Sequence, residues 1–250
     1  MRFEGKVALI FGGAGGIGSA TAALFASRGA KVVVADIDTE GATKVARSIC
    51  ETGGAAIAIP ADVSQYDAAK AAVAETIRRY DRLDIIFNCA AIVSRRPLLE
   101  HESDDFAGVI RVNLEGTFNT LLAGARAMRE IDARGCIINT ASVAAYMASP
   151  LMIGYHASKG AVRSLTQAAA VELAPLGIRV VAVAPGAVDT PLLGEVKTAG
   201  LERDLARKQL RRKMIAPEKV AEVVVFLASE EADAINGTVV MVDDGYVSFK

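Results

Sequence analysis

Seven short apolar runs with almost no polar interruption are spaced along the chain: VALIF (Val7 to Phe11), KVVVAD (Lys31 to Asp36), AAIAI (Ala55 to Ile59), LDIIFN (Leu83 to Asn88), CIINT (Cys136 to Thr140), IRVVAVA (Ile178 to Ala184) and TVVMV (Thr238 to Val242). A strand with one wet face would show a polar residue at every second position. Runs without that alternation fit strands covered on both faces. Between them lie helix-length segments that begin near Ile17, Thr39, Tyr66, Ser103, Gly154 and Pro217. Strands that alternate with helices make βαβ units, so the pattern predicts a doubly wound α/β fold, a parallel sheet with helices on both faces. No proline-rich linker, charge tract or internal repeat divides the 250 residues, which suit one domain spanning 1–250. The alternation lapses between the sixth and seventh strands, and this long excursion, at about 186–216, reads as a lid over one edge of the sheet.

Composition narrows the partners. A hydrophobic fraction of 52% with a net charge of −1 describes a compact soluble protein without a general attraction for nucleic acid or anionic membrane. The first residues, MRFEGKVALIFGG, are too glycine-rich for a signal-peptide core, and no apolar run reaches the length of a membrane span, so a cytoplasmic location is expected. Cys50, Cys89 and Cys136 are widely spaced in apolar settings, which suits buried thiols better than disulfides or a metal site.

At the first strand-to-helix junction stands FGGAGGIGSA, with glycines at 12, 13, 15, 16 and 18. Such a loop turns tightly, lets a ligand approach the backbone, and opens a helix whose free N–H groups and dipole favour a pyrophosphate. Two dinucleotide-binding registers fit, Gly13-x-Gly15-x-x-Gly18 and Gly12-x-x-x-Gly16-x-Gly18. Asp36 ends the second strand, where a carboxylate can accept hydrogen bonds from adenosine ribose hydroxyls and repel a 2′-phosphate. Ile37 and Asp38 follow it rather than a basic residue, which reads as NAD over NADP.

Further on, Ser142 lies thirteen residues before a Tyr155-x-x-x-Lys159 pair. Residues four apart share one face of a helix, so the phenol and ammonium can act together. A fixed cation favours the phenolate and would draw the tyrosine toward a useful acid–base range. His101, in the polar run LEHESDD, reads as a surface residue. His156 should point away from Tyr155 and Lys159 by about 100° of helical rotation, and neither histidine enters the chemistry.

With these motifs in this order, the chain resembles the short-chain dehydrogenase/reductase family, in its single-domain branch, over essentially its whole length. The resemblance selects the Gly12, Gly16, Gly18 register and implies a Rossmann-type, seven-stranded parallel sheet. It implies that NAD is held by Gly12, Gly15, Gly16, Ile17, Gly18, Asp36, Ile37, the pair Asp62-Val63, and Asn88, Ala90 and Ala91. Tyr155 and Lys159 join them, together with the nicotinamide loop Pro185, Gly186, Val188 and Thr190. Phe11 stands where the family usually has threonine, Cys89 and Ala91 replace an asparagine and a glycine, and Asp244 replaces a common glycine. The resemblance further implies that Tyr155 exchanges a proton with a secondary alcohol or ketone and that Ser142 hydrogen-bonds the reacting oxygen. Lys159 would lower the Tyr155 pKa and bind ribose hydroxyls, while Asn113 would complete a relay through water to solvent. Homotetramers or dimers are common among relatives of this length.

The substrate is less legible. Val143, Met147, Leu151, Met152, Leu192 and Leu193 form the candidate lining, which suits an aliphatic or alicyclic body. The stretch from Glu195 to Lys213 carries seven basic residues against three acidic ones, and Arg95-Arg96 follows the Asn88 motif. One of these could take an anion, although a solvated lid helix accounts for them as well. Two other activities share the scaffold: an NAD(H)-binding regulatory protein without turnover, and an NAD-dependent epimerase or dehydratase.

Overall fold

A computed structural model describes residues 2–248. The seven apolar runs form strands β1 (Val7–Phe11), β2 (Lys31–Asp36), β3 (Ala55–Pro60), β4 (Ile85–Asn88), β5 (Cys136–Thr140), β6 (Arg179–Pro185) and β7 (Val239–Val242). They pair in parallel in the order β3-β2-β1-β4-β5-β6-β7. In register, Ile10 of β1 lies between Val34 of β2 and Phe87 of β4, all fully buried. The fourth strand is shorter than its apolar run. Before it, the buried Asp84 uses its side chain to accept the Val7 N–H at 2.9 Å, so this stretch anchors the start of β1 instead of extending β4.

The main helices are α1 (Gly16–Ser27), α2 (Thr39–Glu51), α3 (Tyr66–Tyr80), α4 (Ser103–Ile110), α5 (Gly116–Glu130), α6 (Ile153–Leu173) and, after two five-residue helices α7 (Gly194–Thr198) and α8 (Glu202–Ala206), α9 (Pro217–Ala228). Their apolar stripes cover the two faces of the sheet. Phe25 of α1, Ile49 of α2 and Val224 of α9 belong to one core; Val73 of α3 with Leu121 and Met128 of α5 belong to the other. Each face thereby removes a layer of Val, Ile and Leu from water, the dominant stabilising term for a domain of this kind. Among the described residues no helix is long and apolar enough to cross a membrane.

Two departures from a plain βαβ chain matter for the site. Between α4 and α5 the helix does not run on uniformly but widens into a π-helical turn at Arg111–Glu115, with Asn113 at its centre. Such bulges displace side chains and free backbone groups, and they cluster at functional positions. The excursion after β6 is pinned at several points. Val188 bridges Ile215, the buried Gln209 side chain accepts the Ala187 N–H at 3.1 Å, and Asp244 accepts both the Arg211 N–H and its guanidinium, at 2.8 and 2.7 Å. Asp244 takes a left-handed φ of 48°. A glycine would hold that backbone without strain, and the aspartate instead gains a two-point contact with the excursion.

Candidate active site

Every motif singled out in the sequence emerges at the carboxyl ends of the strands, where the strand order reverses between β1 and β4. In doubly wound sheets that crevice is where ligands bind. Gly12 turns the chain at φ 78°, and a Cβ placed there would come within 2.4 Å of Ala90 N. At Gly18 a Cβ would fall 2.1 Å from Gly12 O, whereas at Gly15 it would meet Gly12 O at an ordinary contact distance of 3.5 Å. The glycines at 12 and 18 are thus required by the protein's own packing. Gly12→Ala should lower stability by about 2 kcal/mol or more, through left-handed strain and overpacking, while Gly15→Ala should leave it almost unchanged. Denaturant midpoints of the two variants check this contrast.

The first turn of α1 has no side-chain cap and no acidic residue, leaving its N–H groups to face the crevice. Asp36 is oriented by two backbone donors, Ala14 N–H to Oδ2 at 2.9 Å and Asp38 N–H to Oδ1 at 3.0 Å. Ile37 is largely exposed at the rim, and Asp62 accepts the Ser64 N–H while Val63 tucks against Gly116. Across the crevice, the Thr190 methyl stands close to Gly16, so the loop after β6 meets the glycine loop. At the ends of β4 and β5, Asn88 Oδ1 and Thr140 Oγ1 are buried without a hydrogen-bond partner among the described residues. Such groups cost about 1–3 kcal/mol each until something hydrogen-bonds them.

The catalytic candidates converge beside this crevice. Ser142 is buried at the end of β5, where its Oγ caps a short turn by accepting the Ala144 N–H at 3.1 Å, and it lines the same cavity as Tyr155. Tyr155 and Lys159 stack on the first turns of α6, with Lys159 Nζ 5.6 Å from the centre of the Tyr155 ring. Lys159 is 1% exposed and donates to Thr140 O at 2.6 Å.

The electrostatics differ from the expectation drawn from the Tyr-x-x-x-Lys spacing. Burial pushes the Tyr155 phenol above its ordinary pKa, and the neighbouring Ser142 hydroxyl and the charge of Arg95 offset this only in part. Burial also brings Lys159 down to about 8. With its proton loosely held and its Nζ turned to Thr140 O, Lys159 is a weak lever on the phenol in the protein alone. Cys89, beside it, is pushed up to about 11 by burial and is therefore a neutral thiol.

Asn113 is fully buried and its amide is committed. Oδ1 accepts the Ile92 N–H at 2.8 Å, and Nδ2 donates to Ile92 O and Ser158 Oγ at 2.9 and 3.1 Å. The side chain therefore clamps the segment after β4.

A cavity of about 380 Å³ opens in front of Ser142 and Tyr155. It gathers Val143, Met147, Leu151, Met152, Leu192 and Leu193, together with cofactor candidates Ala91, Pro185, Gly186, Val188 and Thr190. Sequence reasoning missed several of its walls. Val93 comes from the loop after β4, beside the Arg95 already singled out in the sequence, Leu201 and Leu205 from the excursion that also supplies Lys208, and Tyr246 from the C-terminal segment. These are tertiary neighbours with no periodic signal to reveal them. His156 does point away from Tyr155 and Lys159, yet it too faces the cavity. Nε2 accepts the Ser149 N–H at 3.0 Å and Nδ1 lies 2.9 Å from Ala144 O, so the ring staples the loop that precedes α6. His101 is half-buried rather than fully exposed, with both ring nitrogens covered. Cys50 is exposed, contrary to the expectation of three buried thiols, because it ends α2 on the solvent side. A second cleft, lined by charged residues including Lys6, Asp84 and Arg179, lies at the opposite end of the sheet, away from this chemistry.

A hydride-carrier crevice beside a Ser-Tyr-Lys group is the arrangement of a nicotinamide-dependent oxidoreductase, and comparison with known proteins agrees. A family model described as enoyl-(acyl carrier protein) reductase matches residues 12–247. The chain is 37% identical over 247 residues to the 3-oxoacyl-(acyl-carrier-protein) reductase FabG of Thermotoga maritima, covering 99% of this chain and 100% of that one. It is also 37% identical over 249 residues to the cis-4-hydroxycyclohexanecarboxylate dehydrogenase of Sinomonas cyclohexanicum, covering 98% of each. The crystal structure of levodione reductase matches with a TM-score of 0.95 at 33% identity and full coverage of both chains. The chain belongs to the short-chain dehydrogenase/reductase family, whose members bind a nicotinamide cofactor, and it is an oxidoreductase.

Proposed function

We propose that the protein moves a hydride between NAD(H) and a secondary alcohol or ketone on a small alicyclic body, with Tyr155 as general acid and base. The observation that carries this reading is the convergence of Ser142, Tyr155 and Lys159 on one wall of an apolar cavity adjoining the glycine loop. The crevice suits the cofactor in its donor set: the uncapped first turn of α1 for the pyrophosphate, Asp36 for the adenosine ribose, and Lys159 with the end of β4 for the nicotinamide half. When bound, NAD supplies the hydride acceptor.

The chain's own residues handle the proton and the charge. In reduction the Tyr155 phenol gives its proton to the carbonyl oxygen; in oxidation it takes one from the alcohol. Ser142 Oγ–H donates to the same oxygen and stabilises the negative charge that develops there. Apolar walls from Val143, Met147 and Leu192 exclude water and strengthen both hydrogen bonds. The relatives named for a cyclohexanecarboxylate and for levodione support the choice of a cyclic substrate. Exposed apolar side chains on α5 and α6, among them Phe118 and the 77% exposed Val171, support a homo-oligomer.

Cofactor choice rests on Asp36. Its carboxylate, already fixed by Ala14 and Asp38, should favour NAD over NADP by at least about tenfold in kcat/KM, a difference of about 1.4 kcal/mol. Asp36→Ala should erase most of that preference. Initial rates with the two cofactors test this, and a wild-type preference for NADP(H) refutes the assignment.

A further inference from the structure

We infer that His156 is a positioning residue for the reaction, its ring setting the turn that aims Ser142 Oγ at the reacting oxygen; this rests on the oxidoreductase reading above. The loop from Ser142 to Met152 supplies one wall of the cavity through Val143, Met147, Leu151 and Met152. Its regular structure is a single short turn, Val143–Ala145. Within it Leu151 holds a left-handed φ of 71°. A residue with a Cβ is strained there and keeps that conformation only where its surroundings hold the chain in place.

The first turn of α6 does part of that holding. His156 Nε2 accepts the Ser149 N–H at 3.0 Å, with Ser149 Oγ at the same distance, and Nδ1 lies 2.9 Å from Ala144 O. One ring thus grips the loop at two points. Because His156 directly follows Tyr155, the helical turn that presents the phenol also sets the loop that presents Ser142.

Ala144 is the link to the chemistry. Its carbonyl meets the imidazole, and its N–H donates to Ser142 Oγ at 3.1 Å. With the residue held through its carbonyl, that N–H has a fixed direction. A Ser142 oxygen that accepts it keeps its own proton to donate. The hydroxyl then stands ready for the oxygen on which charge develops, with no reorganisation at the moment of reaction. Both ring nitrogens are taken up by the loop, so His156 acts through Ser142, although its ring lines the cavity.

A double-mutant cycle on cyclohexanol turnover, joined to amide hydrogen exchange, tests the inference. Misplacing a catalytic group by about 1 Å can cost about 10²-fold, so His156→Ala should lower kcat by about 10–100-fold and leave the affinity for NADH unchanged. His156→Leu, which fills the space without either hydrogen bond, should match it and serves in the cycle if the alanine variant does not fold. In a Ser142→Ala background the same changes should cost less than about twofold, because the group they displace is already gone. His156→Asn, which can place an N–H where Nδ1 stands, should restore most of the turnover. The Ala144 N–H should exchange at least about tenfold faster in His156→Leu than in the wild type. Losses that multiply in the double variant, wild-type turnover in His156→Leu, or an asparagine variant no better than leucine overturns the inference. If the wild type turns over no alcohol or ketone, the oxidoreductase reading fails separately. The exchange comparison still reports on His156, and equal Ala144 exchange in wild type and variant overturns the inference by itself.

Discussion

Tyr155→Phe is expected to lower kcat on a secondary alcohol by about 10²–10⁴-fold, the usual contribution of a positioned general acid–base, while the affinity for NADH changes little. The substitution removes only the hydroxyl. The ring still fills the wall beside Lys159, and Ser142 still caps its turn through Ala144 N–H. Ser142 cannot take over, because an aliphatic hydroxyl holds its proton far too tightly to act as a base near neutral pH. The upward push of burial on the phenol adds a direction to the prediction. Near neutrality Tyr155 is protonated and ready to donate, so ketone reduction should proceed well, and alcohol oxidation should climb as the pH rises. Stopped-flow turnover with fluorescence titration of NADH separates the two effects. A variant that keeps half its turnover would sink the assignment of Tyr155.

How much of this was legible in the sequence depended on whether each signal was local. The strands were legible because a doubly covered sheet leaves almost no polar residue in its runs, and their ends placed Asp36, Asn88, Thr140 and Pro185 at one edge without further information. Ser142, Tyr155 and Lys159 were legible because one lies just past a strand end and the others share a helical face. The π turn at Asn113 was not, since its amide is satisfied by Ile92, 21 residues away, and no 3.6-residue period reports such a pairing. Helical rotation correctly turned His156 from Tyr155 and Lys159. It could not reveal that the ring meets Ser149 and Ala144, which belong to the preceding loop. Arg95 and Arg96 looked equivalent until the tethers at Ile92 and Leu151 sent one inward and the other to Asp105. The error over Lys159 has a related origin. Sequence spacing gives the proximity of two ionisable groups but not their desolvation, and here desolvation is the larger effect on both.

That desolvation leads to the second large effect. Lys159 is almost wholly buried, and burial lowers its pKa to about 8 in the fold, against 10.5 for the free side chain. Below pH 8 the native state holds a charge it has taken out of water, and the unfolded state holds the same charge fully solvated, so folding bears the difference. Between pH 8 and 10.5 the unfolded chain binds a proton that the native chain has released, and stability contributed by this group must rise with pH across that window. Above 10.5 both forms are neutral and the penalty is gone. At 1.36 kcal/mol for each pKa unit, the change amounts to about 3 kcal/mol. Lys159→Met removes the titration and leaves the other lysines to cancel between the two proteins. Urea denaturation of both, from pH 7 to 10.5, should show the wild type gaining on the variant by about that amount as pH rises. On the proposed function the variant should meanwhile lose most of its turnover, since the amine proposed to hold the nicotinamide half of the cofactor is gone. A gap that stays flat with pH would mean that Lys159 is not the desolvated, proton-releasing group described here. A gap that opens as expected would identify Lys159 as a desolvated, proton-releasing group that the fold holds at a cost to its stability.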